Sequence, residues 1–270
     1  MRTTVAMALL FVCSVGIGFC VSVSFPGEEI AEISDPASPS NILLFLIPFG
    51  VITAIFLIFI KVKMEFILIY AIMALTWFLL CFSLTLLFSL AFGYRVSAAM
   101  AIATTGVMAY LFYFTKARMW TRNAVGVVGG GGAMGVLGRS IDVYPLIVIM
   151  TILAVYDGIA VYKTKHMFDI AEKAIEGNLP LLLSLPRGES ESETMLMGLG
   201  DVIIPGTLAI SAYTFYSVWA SIPVLIGIGV GMFCLFRAIS KGGQAGLLFL
   251  NTGGIVGFLV YLLFSFLPLS

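Results

Sequence analysis

Asp157 and Asp201 stand apart from the other acidic residues. Of fourteen Asp and Glu, these two alone fall inside long apolar runs, and no Lys or Arg lies well inside any such run to pair with them. A carboxylate in lipid costs at least ~2.5–3.5 kcal/mol, which makes it a functional candidate, the other reading being a structural polar contact between helices. Two carboxyls held close together cannot both ionise easily and share a proton. In that state one can take a proton from water while the other polarises a carbonyl. Titration belongs to the pair, so neither role attaches to a fixed residue.

The elements that must position such a pair follow from composition. The chain has 270 residues, 61% hydrophobic and 10% charged, against roughly 45–50% and 25% in soluble proteins. So few charges exclude a cytosolic enzyme, a nucleic-acid binder and a disordered chain, and leave an all-α polytopic membrane protein. Runs able to span lipid are 5–24, 42–60, 66–92, 97–115, 124–138, 144–162, 195–216, 220–239 and 245–268, which predicts nine transmembrane helices. The first could be a cleaved signal peptide but reads as a retained span. The fifth is short and glycine-rich, which favours close helix packing over a bent segment. Cys13, Cys20, Cys81 and Cys234 lie in apolar runs without CxxC spacing, so no disulfide, metal site or cofactor is expected.

Basic residues set the orientation. With the N-terminus inside, inner segments hold twelve of the fourteen Lys and Arg, and outer ones only Arg95 and Arg139. The positive-inside rule therefore predicts a cytosolic N-terminus and an external C-terminus. Dropping the fifth helix would move the Lys163–Arg187 loop outside and spoil the pattern. The expected organisation is a six-helix part (1–162) carrying Asp157, a cytosolic loop (163–194) read as a flexible linker, and a three-helix part (195–270) carrying Asp201.

Depth then pairs the aspartates. Asp157 lies six residues before Lys163, and Asp201 six residues after Met195, so both sit roughly 9 Å below the inner end of adjacent helices. Gly198 and Gly200 permit close backbone approach. Pro205 removes the helical donor to the Asp201 carbonyl, and Gly206 loosens the same turn.

Tyr156-Asp157 on one helix and Gly198-Leu199-Gly200-Asp201 on the next resemble the YD and GxGD signatures of the presenilin and signal peptide peptidase family of intramembrane aspartyl proteases. Gly200-Asp201-Val202-Ile203-Ile204-Pro205-Gly206 is most similar to the signal peptide peptidase branch, while the inferred orientation is that of presenilins. The family's Pro-Ala-Leu motif has a counterpart in Gln244-Ala245-Gly246-Leu247, with Ala245 and Gly246 in place of proline and alanine; an ordinary helix start accounts for this segment equally well. The resemblance implies a presenilin-like fold, a small archaeal-type enzyme, and hydrolysis of peptide bonds within transmembrane protein or peptide substrates by Asp157 and Asp201.

That reading places the chain in a prokaryotic cell membrane, with the bilayer and transmembrane substrates as partners and no nucleic acid; a homo-oligomer is left open. A substrate helix must unwind to expose its carbonyls. Leu181–Leu185, between two prolines, could offer a strand edge to it, although an interfacial apolar patch is the default. His166 reads as an interfacial residue, and no HExxH is present. The rival reading is a transporter or a cation or proton leak channel built on intramembrane aspartates, but no internal repeat supports it. A prepilin-type peptidase would lack the YD partner.

Overall fold

The computed structural model describes residues 2–25, 35–62, 65–115, 118–159, 161, 182–186, 194–238 and 245–266. Among these are nine helices: α1 (Arg2–Ser24), α2 (Ser40–Lys61), α3 (Glu65–Ser89), α4 (Tyr94–Phe114), α5 (Arg118–Ser140), α6 (Val143–Ile159), α7 (Leu199–Phe215), α8 (Val218–Ala238) and α9 (Gly246–Phe266). Five of them, α1, α3, α4, α8 and α9, are long and apolar enough to cross a membrane, while α2, α6 and α7 contribute shorter apolar segments. Large side chains on the outer faces are left bare, among them Leu9, Ile102, Phe114, Trp219 and Phe266. Such a surface is stable only against lipid.

The short fifth run is the middle of a longer helix. It begins at Arg118 and ends at Ser140, so Arg118, Arg122 and Arg139 are helical rather than loop residues. α5 packs against α1, α3, α4 and α7, and its glycines are where α1, α3 and α7 touch it. A Cβ at Gly131 would lie 2.6 Å from the Ser14 carbonyl of α1, and one at Gly135 2.5 Å from that of Gly18. A Cβ at Gly132 would collide with Ser83 of α3, and one at Gly138 would press on Ile210 of α7. Packing between helices in lipid gains from close backbone approach rather than from hydrophobic exclusion. Ser14 Oγ donates across this interface to the Val127 carbonyl at 3.0 Å. α8 and α9 meet through the same device, Gly227 and Gly231 against Gly253 and the Phe249 backbone.

Two stretches between α6 and α7 are strands rather than linker. Leu182–Pro186 forms β1 and Thr194–Gly198 forms β2, paired antiparallel with Ser184 opposite Leu196. Met195–Gly198, expected as the first turn of the seventh helix, is therefore strand, and α7 starts at Leu199. Leu183, Ser184 and Leu185 are buried, which replaces the interfacial-patch reading by the strand. The rest of 163–193, with His166, lies outside the described residues.

Asn123 of α5 holds β1 in place. The Ser184 N–H donates to Asn123 Oδ1 at 2.9 Å, and Asn123 Nδ2 donates to the Ser184 carbonyl at 2.7 Å. Arg122 adds a bond from its guanidinium to Ser184 Oγ. Thr3 Oγ1 of α1 donates to the Pro186 carbonyl at 3.2 Å. The outer edge of β1 is thus capped by two helices, whereas among the described residues no element pairs with the outer edge of β2.

Candidate active site

Three element ends converge beside the hairpin. Asp157 lies two residues before Ile159, the last residue of α6, and Asp201 is the third residue of α7. Asp201 is thus nearer its helix start than the expected six residues, because β2 replaces that first turn. The two carboxyls nevertheless reach a common level, since α6, α7 and α9 pack on one another. Both α6 and α7 have 17 residues, roughly 26 Å of helix, less than the ~30 Å hydrocarbon core.

Asp157 is 4% exposed. Its Oδ2 accepts a hydrogen bond from the Leu247 N–H, in the first turn of α9, at 3.1 Å. Asp201 is partly buried. Its carboxylate accepts a bond from the Gly198 N–H and lies close enough to Asp157 for the two charges to repel. Gly198 is the N-cap residue of α7, with φ −64° and ψ 140°, and has no side chain to offer as a cap. Asp201, three residues on, reaches back to the cap N–H, as an acid does in a capping box.

Gly246 closes the other side. A Cβ there would lie 2.5 Å from Asp201 Oδ2 and 2.7 Å from its Cγ. The first turn of α9 therefore touches both carboxyls, through the Leu247 amide on one and the bare Gly246 Cα on the other. The alanine-to-glycine departure at 246 has a steric reason in this chain. Ala245 is fully buried; Gln244 lies outside the described residues.

The other expected positions divide. Leu199 is buried, its Cδ2 against Gly126 and Gly130 of α5. Gly200 is exposed, with open space where a Cβ would point. Tyr156 does not join the aspartates; it is 46% exposed and its ring meets Phe49 of α2 edge to face at 6.2 Å. Sequence reasoning missed Asn123, the clamp on β1, and Asn251, buried one turn beyond Leu247, whose Nδ2 donates to the Met150 carbonyl of α6 at 3.0 Å. For Asn251 the available signal was an uncharged amide inside an apolar run, where each polar group needs a partner; Asn123, next to Arg122 just before the fifth run, carried no such signal. Among the described residues no cluster of His, Cys, Asp and Glu could hold a metal.

The family profile for signal-peptide peptidase, presenilin aspartyl protease matches residues 7–267. The chain belongs to this family. No curated protein matches significantly. Among solved structures, it is similar to a presenilin family intramembrane aspartate protease in a C222 crystal form, with 24% identity, a TM-score of 0.69, and 97% of this chain and 99% of that one covered. A P2 crystal form so described gives 26% identity, a TM-score of 0.68, and coverages of 96% and 97%. The protein is a multi-pass integral membrane protein and an intramembrane aspartyl protease, and the family membership decides against the transporter reading.

Proposed function

We propose that Asp157 and Asp201 are the catalytic pair of this protease. One carboxylate takes a proton from water, which attacks the scissile carbonyl carbon. The other, protonated, donates to the carbonyl oxygen as the tetrahedral intermediate forms. Collapse breaks the C–N bond; the proton gained from water leaves with the amine, and a hydroxyl of the intermediate returns its proton to the other carboxylate as the C=O re-forms. The observation that carries this reading is the contact of one helix end with both carboxyls, the Leu247 amide on Asp157 and the Gly246 Cα against Asp201. A structural polar contact would need only one of the two.

The substrate edge is assigned to β2 rather than to the 181–185 segment. Ser184 turns its amide and carbonyl to Asn123, so in an antiparallel pair its opposite residue, Leu196, turns its own main-chain groups to the outer side. An unwound substrate adding there lies on the strand that runs directly into Gly198 and Asp201. Main-chain bonds would supply the affinity, and the open space over Gly200 leaves room for the chain.

The cytosolic N-terminus rests on the distribution of basic residues. The start of α1, the hairpin and Asp157 share one end of the bundle, and that end is read as the cytosolic one. Substrates would then be transmembrane segments with an external N-terminus.

A hydroxyl-containing isostere of a tetrahedral intermediate tests the pair in detergent. It should block cleavage, and its binding should fall at least tenfold in both Asp157→Asn and Asp201→Asn. Undiminished binding in either variant would remove that residue from the pair.

A further inference from the structure

α1 and α8 touch only lightly, and a slot of about 590 Å³ opens between them. Its walls are apolar: Phe11 and Val15 from α1, Leu225, Met232 and Phe236 from α8. The lining runs from Thr4 to Val15 along α1, roughly 16 Å of helix, or about half the hydrocarbon thickness. It is therefore one leaflet deep. At the membrane-surface end of the slot lies Arg237, in the last turn of α8. Its guanidinium carbon sits 4.7 Å above the centre of the Phe233 ring, which holds the charge over the mouth. Gly229 forms part of the wall, and a Cβ there would meet nothing within 4 Å.

We propose that this slot is a binding site for one anionic phospholipid of the leaflet at whose surface Arg237 lies. An acyl chain fills the apolar depth and the phosphate lies at Arg237. The form of the slot points to a lipid: its lining ends at mid-membrane depth with Val15 and Leu225, its walls are apolar, and its one cationic lining residue among those described lies at the headgroup level. A transmembrane partner helix would need a groove that continues through both leaflets. A basic side chain at the membrane surface favours an anionic over a zwitterionic headgroup. The floor of the slot also reaches the catalytic half. Val15 Cγ2 lies 3.5 Å from where a Cβ on Gly206 of α7 would stand, so a lipid seated here backs the contact between α1 and the helix that carries Asp201.

Native mass spectrometry of the purified full chain, offered phosphatidylglycerol or phosphatidylcholine in detergent, tests the site. The wild type should retain one phosphatidylglycerol, about fivefold in preference to phosphatidylcholine. Gly229→Trp should fill the slot and release it, whereas Gly106→Trp on α4, also placed in open space, should not. Arg237→Gln should keep a bound lipid but lose the headgroup preference. Equal retention by wild type and Gly229→Trp would overturn the site. An unchanged preference in Arg237→Gln would overturn the headgroup assignment. A crosslink between two copies through this face, abolished by Gly229→Trp, would show a second chain there instead of a lipid.

Discussion

The backbone N–H of Leu247 donates to Asp157 Oδ2 at 3.1 Å, so a main-chain group of the last helix fixes a carboxylate ninety positions earlier in the sequence. A bond to a charged group contributes about 1.5–3 kcal/mol. Leu247→Pro deletes the donor, and proline is tolerated in the first turn of a helix. The expected result is a fall in kcat of about tenfold to a hundredfold with KM little changed, while Leu247→Ala, which keeps the N–H, stays near wild type. Steady-state kinetics on a reconstituted substrate separate the two variants.

Gly246 faces Asp201 without room for a methyl group. Gly246→Ala should displace either the carboxylate or the start of α9 and reduce kcat at least tenfold, although alanine favours the helix by ~1 kcal/mol. Thermal unfolding and cleavage measured on the same preparation should therefore diverge, activity falling further than stability.

Asn123 holds both main-chain groups of Ser184. Asn123→Leu leaves that buried N–H and carbonyl without partners, at about 1–3 kcal/mol each. Hydrogen exchange should rise across 182–186 first, and cleavage should fall with it. Protection of β1 equal to that of wild type would show that the strand does not depend on this clamp.

The glycines of α5 can be tested against a neutral position. Gly132→Leu drives a side chain into Ser83 of α3 and should destabilise the bundle by about 1–3 kcal/mol or more. Gly106→Ala, with open space around it, should change stability by less than about 1 kcal/mol. Unfolding in mild detergent reads both.

How much of this was legible in the sequence varies by element. Apolar run length located all nine helices, because in lipid every backbone polar group must be satisfied within the segment. The fifth run, 124–138, is the weakest of these and is required because dropping it would move the Lys163–Arg187 loop outside; its low hydropathy reflects enclosure by α1, α3, α4 and α7. Asp157 and Asp201 were recognisable by the cost of placing them in lipid. The hairpin was not: an apolar run of five residues reads equally as strand, helix start or interfacial patch, and for Leu182–Pro186 the deciding contact comes from Asn123, 61 positions away. For the same reason Met195–Gly198 read as a continuation of the apolar helix. The role of Leu247 lies in its backbone amide, which no side-chain pattern encodes.

The most direct measurement is cleavage of a transmembrane peptide in liposomes by the wild type, Asp157→Asn and Asp201→Asn, each shown to be folded by circular dichroism and size-exclusion profile. Asparagine keeps the size of the side chain but cannot exchange the shared proton. Both variants should lose cleavage by at least a thousandfold while retaining the wild-type fold. Full cleavage by either folded variant would contradict the account.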